Sequence, residues 1–310
     1  MRLVTIKRGE GERLGALVEH EGRTVVLDMP ADLPTDMAAF LVAGPGAMDR
    51  ARAVVAQADP TDLPSVDEVQ LRAPVPRPRA VLCIGYNYRG HGAAGAVEDP
   101  PYPDVFAKTP NTVIGPGAPI VLPAQSGQVD YEAELAVVIG RPAHGVSEAD
   151  AMSHVAGFTL FNDVSARDWQ ARSSQWLLGK SFDTFGPMGP ALVTADDVPD
   201  LRSLTVELAI NGRVTVHAST ASMVFSVPFL VSYLSQVITL QPGDVIATGT
   251  PQKLPDALAE QRWMQPGDVV EVTVSGLGVL HNPVVAAPRA ESFDLTTDHP
   301  ADVRTDQGER

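Results

Sequence analysis

Residues 129–140 read VDYEAELAVVIG, and the fold turns on this stretch. The run from Leu135 to Ile139 is short, apolar and rich in β-branched residues, and Gly140 ends it. That combination predicts a strand inside a sheet rather than a helix. Alternate side chains of a strand share a face. Glu132 and Glu134 therefore project together, while Tyr131, Ala133, Leu135 and Val137 turn the other way. Two neighbouring carboxylates repel, and a divalent cation between them removes that cost. Asp163, at the end of the strand-like FTLFND, offers a third carboxylate. An all-oxygen set suits a hard ion, Mg2+ or else Mn2+ or Ca2+, rather than zinc.

Working outward, residues 80–86 (AVLCIGY) and DVIATGTP (244–251) read as further strands, and Asn211-Gly212 as the turn of a hairpin. SEADAMSHVAG predicts a helix with Ser147 as its N-cap, and SVPFLVSYLSQV another. Upstream, residues 1–29 read as hairpin material and 35–58 as helical. The prolines at 60, 64, 74, 76 and 78 mark an extended connection. The expected organisation is a small N-terminal domain over residues 1–72, a second domain over 76–286, and a polar, disordered tail over 287–310. With 27 Pro and 26 Gly in 310 residues, short strands and turns should dominate, giving an α+β fold that is predominantly β.

Composition narrows the partners. The net charge is 23 − 38 = −15, which argues against nucleic acid or an anionic membrane as partner. The single cysteine, Cys83, excludes an intramolecular disulfide and a cysteine metal cluster. No apolar run approaches the roughly 18–20 residues of a membrane span. The N-terminus returns to charge too soon for a signal peptide, so a cytoplasmic enzyme acting on a small molecule is expected. Gly179-Lys180-Ser181 is not a phosphate-binding loop, because the glycine such a loop needs five residues before Gly179 is Ser174. His91, among glycines, is a candidate mobile base.

Taken together, six segments in order resemble the fumarylacetoacetate hydrolase family. They are GYNYRGH (85–91), VDYEAELAVVIG (129–140), NDVSARDWQ (162–170), GKSFD (179–183), Asn211-Gly212 with Thr220 and Met223, and TLQPGDVIATGTP (239–251). The resemblance implies a mixed β-roll catalytic domain and a homodimer. It implies a metal held by Glu132, Glu134 and Asp163, the same trio as the charge argument. It further implies substrate contacts from Tyr88, Arg167, Gln170 and Thr250, with Lys180 and His91 in catalysis. The implied reaction is metal-dependent hydrolysis of a C–C bond in an acylpyruvate or related β-diketo acid. Isomerisation or decarboxylation of a 2-hydroxy-dienedioate is the alternative, and a non-catalytic metal-binding homologue is a third. Two departures stand out. The Glu usual three residues after the loop His is Ala94, so the partner of His91 is expected from the loop after the TGT motif, as Glu260 or Asp256, with Glu98 and Asp99 as further candidates. The usual Gly-Val-Gly after TGTP is replaced by Gln252-Lys253-Leu254-Pro255.

Overall fold

The structure is a computed structural model and describes residues 1–90 and 99–288. Two large sheets carry the fold. The first has ten strands, in the order Arg23–Asp28, Gly11–His20, Arg2–Arg8, Gly186–Thr194, Val155–Asn162, Ala133–Ile139, Val245–Ala247, Val81–Gly85 and Asp104–Lys108, with Val113–Ile114 pairing to Gly186–Thr194. Pairing is mixed: Val245–Ala247 runs antiparallel to Ala133–Ile139 and parallel to Val81–Gly85. The second sheet has five strands, Arg213–Ser219, Thr205–Ile210, Val269–Val274, Gly278–Ala286 and Ile120–Leu122. The fold is α+β and predominantly β, as expected. The N-terminal strands join the first sheet where Arg2 and Leu3 pair with Val193 and Leu192.

The strand Ala133–Ile139 is buried at every residue because both of its faces are covered. Leu135, Val137 and Ile139 pack with Val270, Val272 and Leu230. Ala136 and Val138, on the other face with Glu134, pack with Met37 and Phe40 of the N-terminal helix Met37–Val42. Each fully buried aliphatic side chain here contributes about 1.5–3 kcal/mol. Burial on two faces explains the unbroken apolar run.

Residues 129–140 are not one strand. Val129–Asp130 pairs with Ser165–Ala166, the chain breaks at Tyr131 and Glu132, and the interior strand starts at Ala133. The side chain of Asn162 accepts the Glu132 N–H at 3.0 Å, and the Asp163 N–H donates to the Glu132 carbonyl at 2.9 Å. These bonds replace a ladder and carry Glu132 out of the sheet. Ser147 caps the short helix Glu148–Ala151, and Asn211-Gly212 turns the hairpin with both φ positive, as read from the sequence. Among the described residues no helix is long and apolar enough to cross a membrane. The expected tail lies, from residue 289, outside the described residues.

The C-terminal ends of Val81–Gly85, Val155–Asn162 and Val245–Ala247 meet the N-terminal start of Ala133–Ile139. The segments that follow these strand ends, 86–88, 163–167 and 248–253, therefore gather at one edge of the first sheet.

Candidate active site

At that edge Glu132, Glu134 and Asp163 bring one oxygen each within 4.8 Å of one another, and all three are buried. Glu134 is fixed by the turn after Val245–Ala247: the Gly249 N–H donates to its Oε2 at 2.9 Å. Gly249 sits at φ +97°, and a Cβ there would meet Asn87 Cβ and the Ile84 carbonyl at 2.9 Å, so only glycine brings this amide to the carboxylate. Asn87 locks the same turn by donating to the Thr248 carbonyl at 2.7 Å and accepting from the Phe225 N–H.

Cations surround the carboxylates. Lys180 is buried and donates to Glu132 Oε2 and Asp163 Oδ2, each at 2.6 Å. Lys108 donates to the other Asp163 oxygen at 2.6 Å and to the Val164 carbonyl. Arg167 reaches Glu132 Oε1 at 2.5 Å, Asp130 Oδ2 at 2.9 Å and Gln170. Lys253 meets Asp130 Oδ1 at 2.5 Å. The result is one alternating chain, Lys253–Asp130–Arg167–Glu132–Lys180–Asp163–Lys108. Burial disfavours the Lys180 ammonium, but Asp163 and Glu132 hold its pKa above the ordinary lysine value. Glu132 is likewise opposed by burial yet held below the carboxylate range by Arg167 and Lys180. Glu134 goes the other way: burial, then Asp163 and Glu132, push its carboxyl well above the usual value. Three oxygen donors, with one carboxyl short of positive charge, fit a hard divalent cation.

Two cavities adjoin here. The inner one, about 240 Å3, is lined by Glu132, Glu134, Lys180, Gln170, Trp176 and Phe106. The outer one, about 450 Å3, is lined by Asp130, Tyr131, Lys253, Val216, Leu258 and Trp263 among others. Tyr86, Glu132, Arg167 and Thr250 line both and mark the passage.

The structure thus gathers Glu132, Glu134, Asp163, Lys180, Arg167, Gln170 and Thr250. It does not bring in two other expected residues. Tyr88 is 2% exposed, and its hydroxyl has no partner among the described residues. Tyr86 lines the cavities in its place, because φ of +54° at Tyr86 breaks the alternation that follows the strand. Glu260 lines neither cavity at the triad; it pairs with Arg213 at 2.5 Å, and Asp256 pairs with the same guanidinium at 2.9 Å. Both sit on the exposed side of the helix Pro255–Glu260, drawn there by a cation on another strand. Asp99 pairs with Arg89 at 2.8 Å. His91 and Glu98 lie outside the described residues. Sequence reasoning missed Lys108, Asp130 and Lys253. Asp130 lies within the quoted stretch 129–140 and Lys253 within the departure 252–255, but nothing local marks Lys108.

A predominantly β fold with mixed pairing, carrying three buried carboxylates at the ends of its central strands, defines a class of enzymes in which oxygen ligands could hold a divalent metal. A family model described as fumarylacetoacetate (FAA) hydrolase C-terminal matches residues 80–285. The chain is 43% identical over 290 residues to oxaloacetate tautomerase FAHD2A, mitochondrial, of Homo sapiens, with 92% of each chain covered. Among solved structures, 2-hydroxyhepta-2,4-diene-1,7-dioate isomerase from Mycobacterium marinum matches with a TM-score of 0.72 at 32% identity, over 93% of this chain and 100% of that one. Maleylpyruvate hydrolase from Sphingobium sp. SYK-6, in complex with manganese (II) ion and pyruvate, matches with a TM-score of 0.75 at 29% identity, over 93% and 100%. The chain belongs to the fumarylacetoacetate hydrolase family.

Proposed function

We propose that this protein is a divalent-metal-dependent tautomerase or isomerase of a 2-oxo acid, with Mg2+ or Mn2+ as the metal. The observation that carries the reading is Lys180, a buried ammonium fixed 2.6 Å from both Glu132 and Asp163. When bound at Glu132, Glu134 and Asp163, the metal would polarise the carbonyl of the acid. The chain's own residues do the rest. Lys180 presents a fixed positive charge to the negative charge that develops as the carbon beside the carbonyl gives its proton to His91, the candidate base, from which a proton returns to the oxygen. Held by two ion pairs, the Lys180 charge needs little reorganisation at the moment of reaction. Gln170 and Thr250 orient the ligand from the wall of the inner cavity, and Arg167 receives a carboxylate at the passage.

Proton transfer of this kind needs no hydrolytic water. Asp256 and Glu260, the expected partners of His91 in activating that water, are both held by Arg213. The 43% identity to an oxaloacetate tautomerase supports the same choice. Cleavage of an acylpyruvate is the second reading, supported by the shared fold of maleylpyruvate hydrolase.

The test supplies the Mg2+-loaded protein with the enol form of oxaloacetate, a hydroxy-dienedioate and acetylpyruvate. Accelerated enol–keto or double-bond conversion without two-fragment products is the expected result. Fragments without conversion would establish the hydrolase instead. Unchanged substrates throughout would leave a metal-binding protein without this activity.

A further inference from the structure

We infer that Lys253 is a specificity-determining residue: it receives the far carboxylate of a 2-oxo acid whose oxo end lies at the triad, so that the substrate carries two carboxylates joined by a short hydrocarbon chain. The inference rests on the oxo-acid reading above and adds the residue that selects among such acids.

The first support is placement. Lys253 stands where the chain departs from the Gly-Val-Gly pattern, yet it is not on a free loop. Its backbone bridges to Val216, and the Leu254 N–H donates to the Thr215 carbonyl at 2.8 Å. The side chain is 15% exposed, lines the outer cavity, and lies with its ammonium 4.2 Å over the Tyr131 ring. A fixed cation on an aromatic floor is a preorganised anion receptor. Val216, Leu258 and Trp263 supply an apolar wall in the same cavity for the hydrocarbon between the two ends.

The second support is charge balance. Four carboxyl groups, Asp130, Glu132, Glu134 and Asp163, stand with four cations, Lys108, Arg167, Lys180 and Lys253; the bonds given above join the cations to all but Glu134, which takes the Gly249 N–H. With all four carboxyls ionised, as ligation would require of Glu134, the set is neutral, and a divalent metal would bring two positive charges to it. A ligand with one carboxylate would leave one positive charge uncompensated among largely buried groups, and a dicarboxylate would close the sum.

The third is the sharing of Asp130. Its Oδ2 takes Arg167 and its Oδ1 takes Lys253. With Glu132 engaged by a metal, Arg167 would keep Asp130 and Gln170. Lys253, with three N–H donors and a single acceptor among the described residues, is the cation with capacity to spare, three ion pairs away from Glu132.

The test is calorimetric titration of the Mg2+-loaded protein with 2-oxoadipate and 2-oxohexanoate, which differ in the terminal carboxylate. The wild type should prefer 2-oxoadipate by about ten-fold or more, as a hydrogen bond to a charged group would give. Lys253→Met should bring the ratio of the two affinities to about one, and Lys253→Arg should keep the preference. Equal binding of the two acids by the wild type, or an undiminished preference in Lys253→Met, overturns the inference and leaves the oxo-acid reading standing. If neither acid binds in a Mg2+-dependent way, the reading itself falls and the inference with it.

Discussion

Lys108 and Asp163 meet at 2.6 Å with both side chains wholly removed from water. Burial pulls the Lys108 ammonium below the ordinary lysine value, and Asp163 restores it only in part. Neither charge is tolerable alone. Lys108→Met leaves Asp163 with Lys180 as its one cation, and Asp163→Asn leaves two lysines competing for the remaining carboxylates. Each single change should cost about 3–5 kcal/mol in urea unfolding. The double variant should cost at least about 1 kcal/mol less than the sum. Strict additivity would show that the pair does not act as a unit.

Glu134 should respond in the opposite sense. Its folded-state pKa is raised, so its contribution to stability is complete below the unfolded value of about 4.3 and is lost as pH rises through the folded value. Glu134→Gln should therefore stabilise the metal-free protein at neutral pH and do little near pH 4. At a hundred-fold excess over its Kd, Mg2+ should add about 2.7 kcal/mol to the wild type and nothing to the variant. Melting curves with and without Mg2+ read both effects, and a Mg2+ shift that survives in the variant would remove Glu134 from the ligand set.

Gly179 sets the distance between the two short helices of the site, Arg167–Gln170 and Leu177–Lys180. A Cβ there would lie 2.5 Å from Gln170 N and 2.6 Å from Gln170 Cα. Backbone cannot yield cheaply, so Gly179→Ala should displace Lys180 from the triad. A misplacement of about 1 Å costs on the order of 100-fold in rate. The expected result is a large fall in kcat with Mg2+ affinity changed far less, read by steady-state kinetics beside a metal titration.

Asp268 holds the segment after the helix Pro255–Glu260. Burial opposes its charge, but Arg262 at 2.6 Å, the Gln265 N–H at 2.7 Å and Asn211 at 2.8 Å hold its pKa below the usual carboxylate value. A lowered folded pKa stabilises above the unfolded value, about 3.9, and that stabilisation is lost as pH falls through the folded value. Asp268→Asn should cost about 1–3 kcal/mol at pH 7. The gap from wild type should narrow below pH 4 in acid-unfolding curves. A gap constant with pH would mean that shape, not charge, does the holding.

The carboxylate trio was legible in the sequence because its chemistry is local, whereas Lys180, Gln170 and Thr250 came only with the resemblance to the family. Like charges two residues apart on an apolar strand call for a cation, and turn glycines mark where the backbone reverses. The strand core was legible for the same reason, since burial on two faces leaves an unbroken apolar run. Pairings between distant segments were not. Asn162 takes the Glu132 N–H and ends the strand early; Arg213 claims Glu260 from 47 positions away; Lys108 finds Asp163 across 55. A single left-handed residue at Tyr86 exchanges which tyrosine faces the cavity. Periodicity and residue type, set by neighbours along the chain, determined the elements and the metal-ligand candidates. Which charge answers which depends on contacts made after the sheets close, and only the tertiary structure decided that Lys253 and Arg167 share Asp130 while Glu260 stands apart.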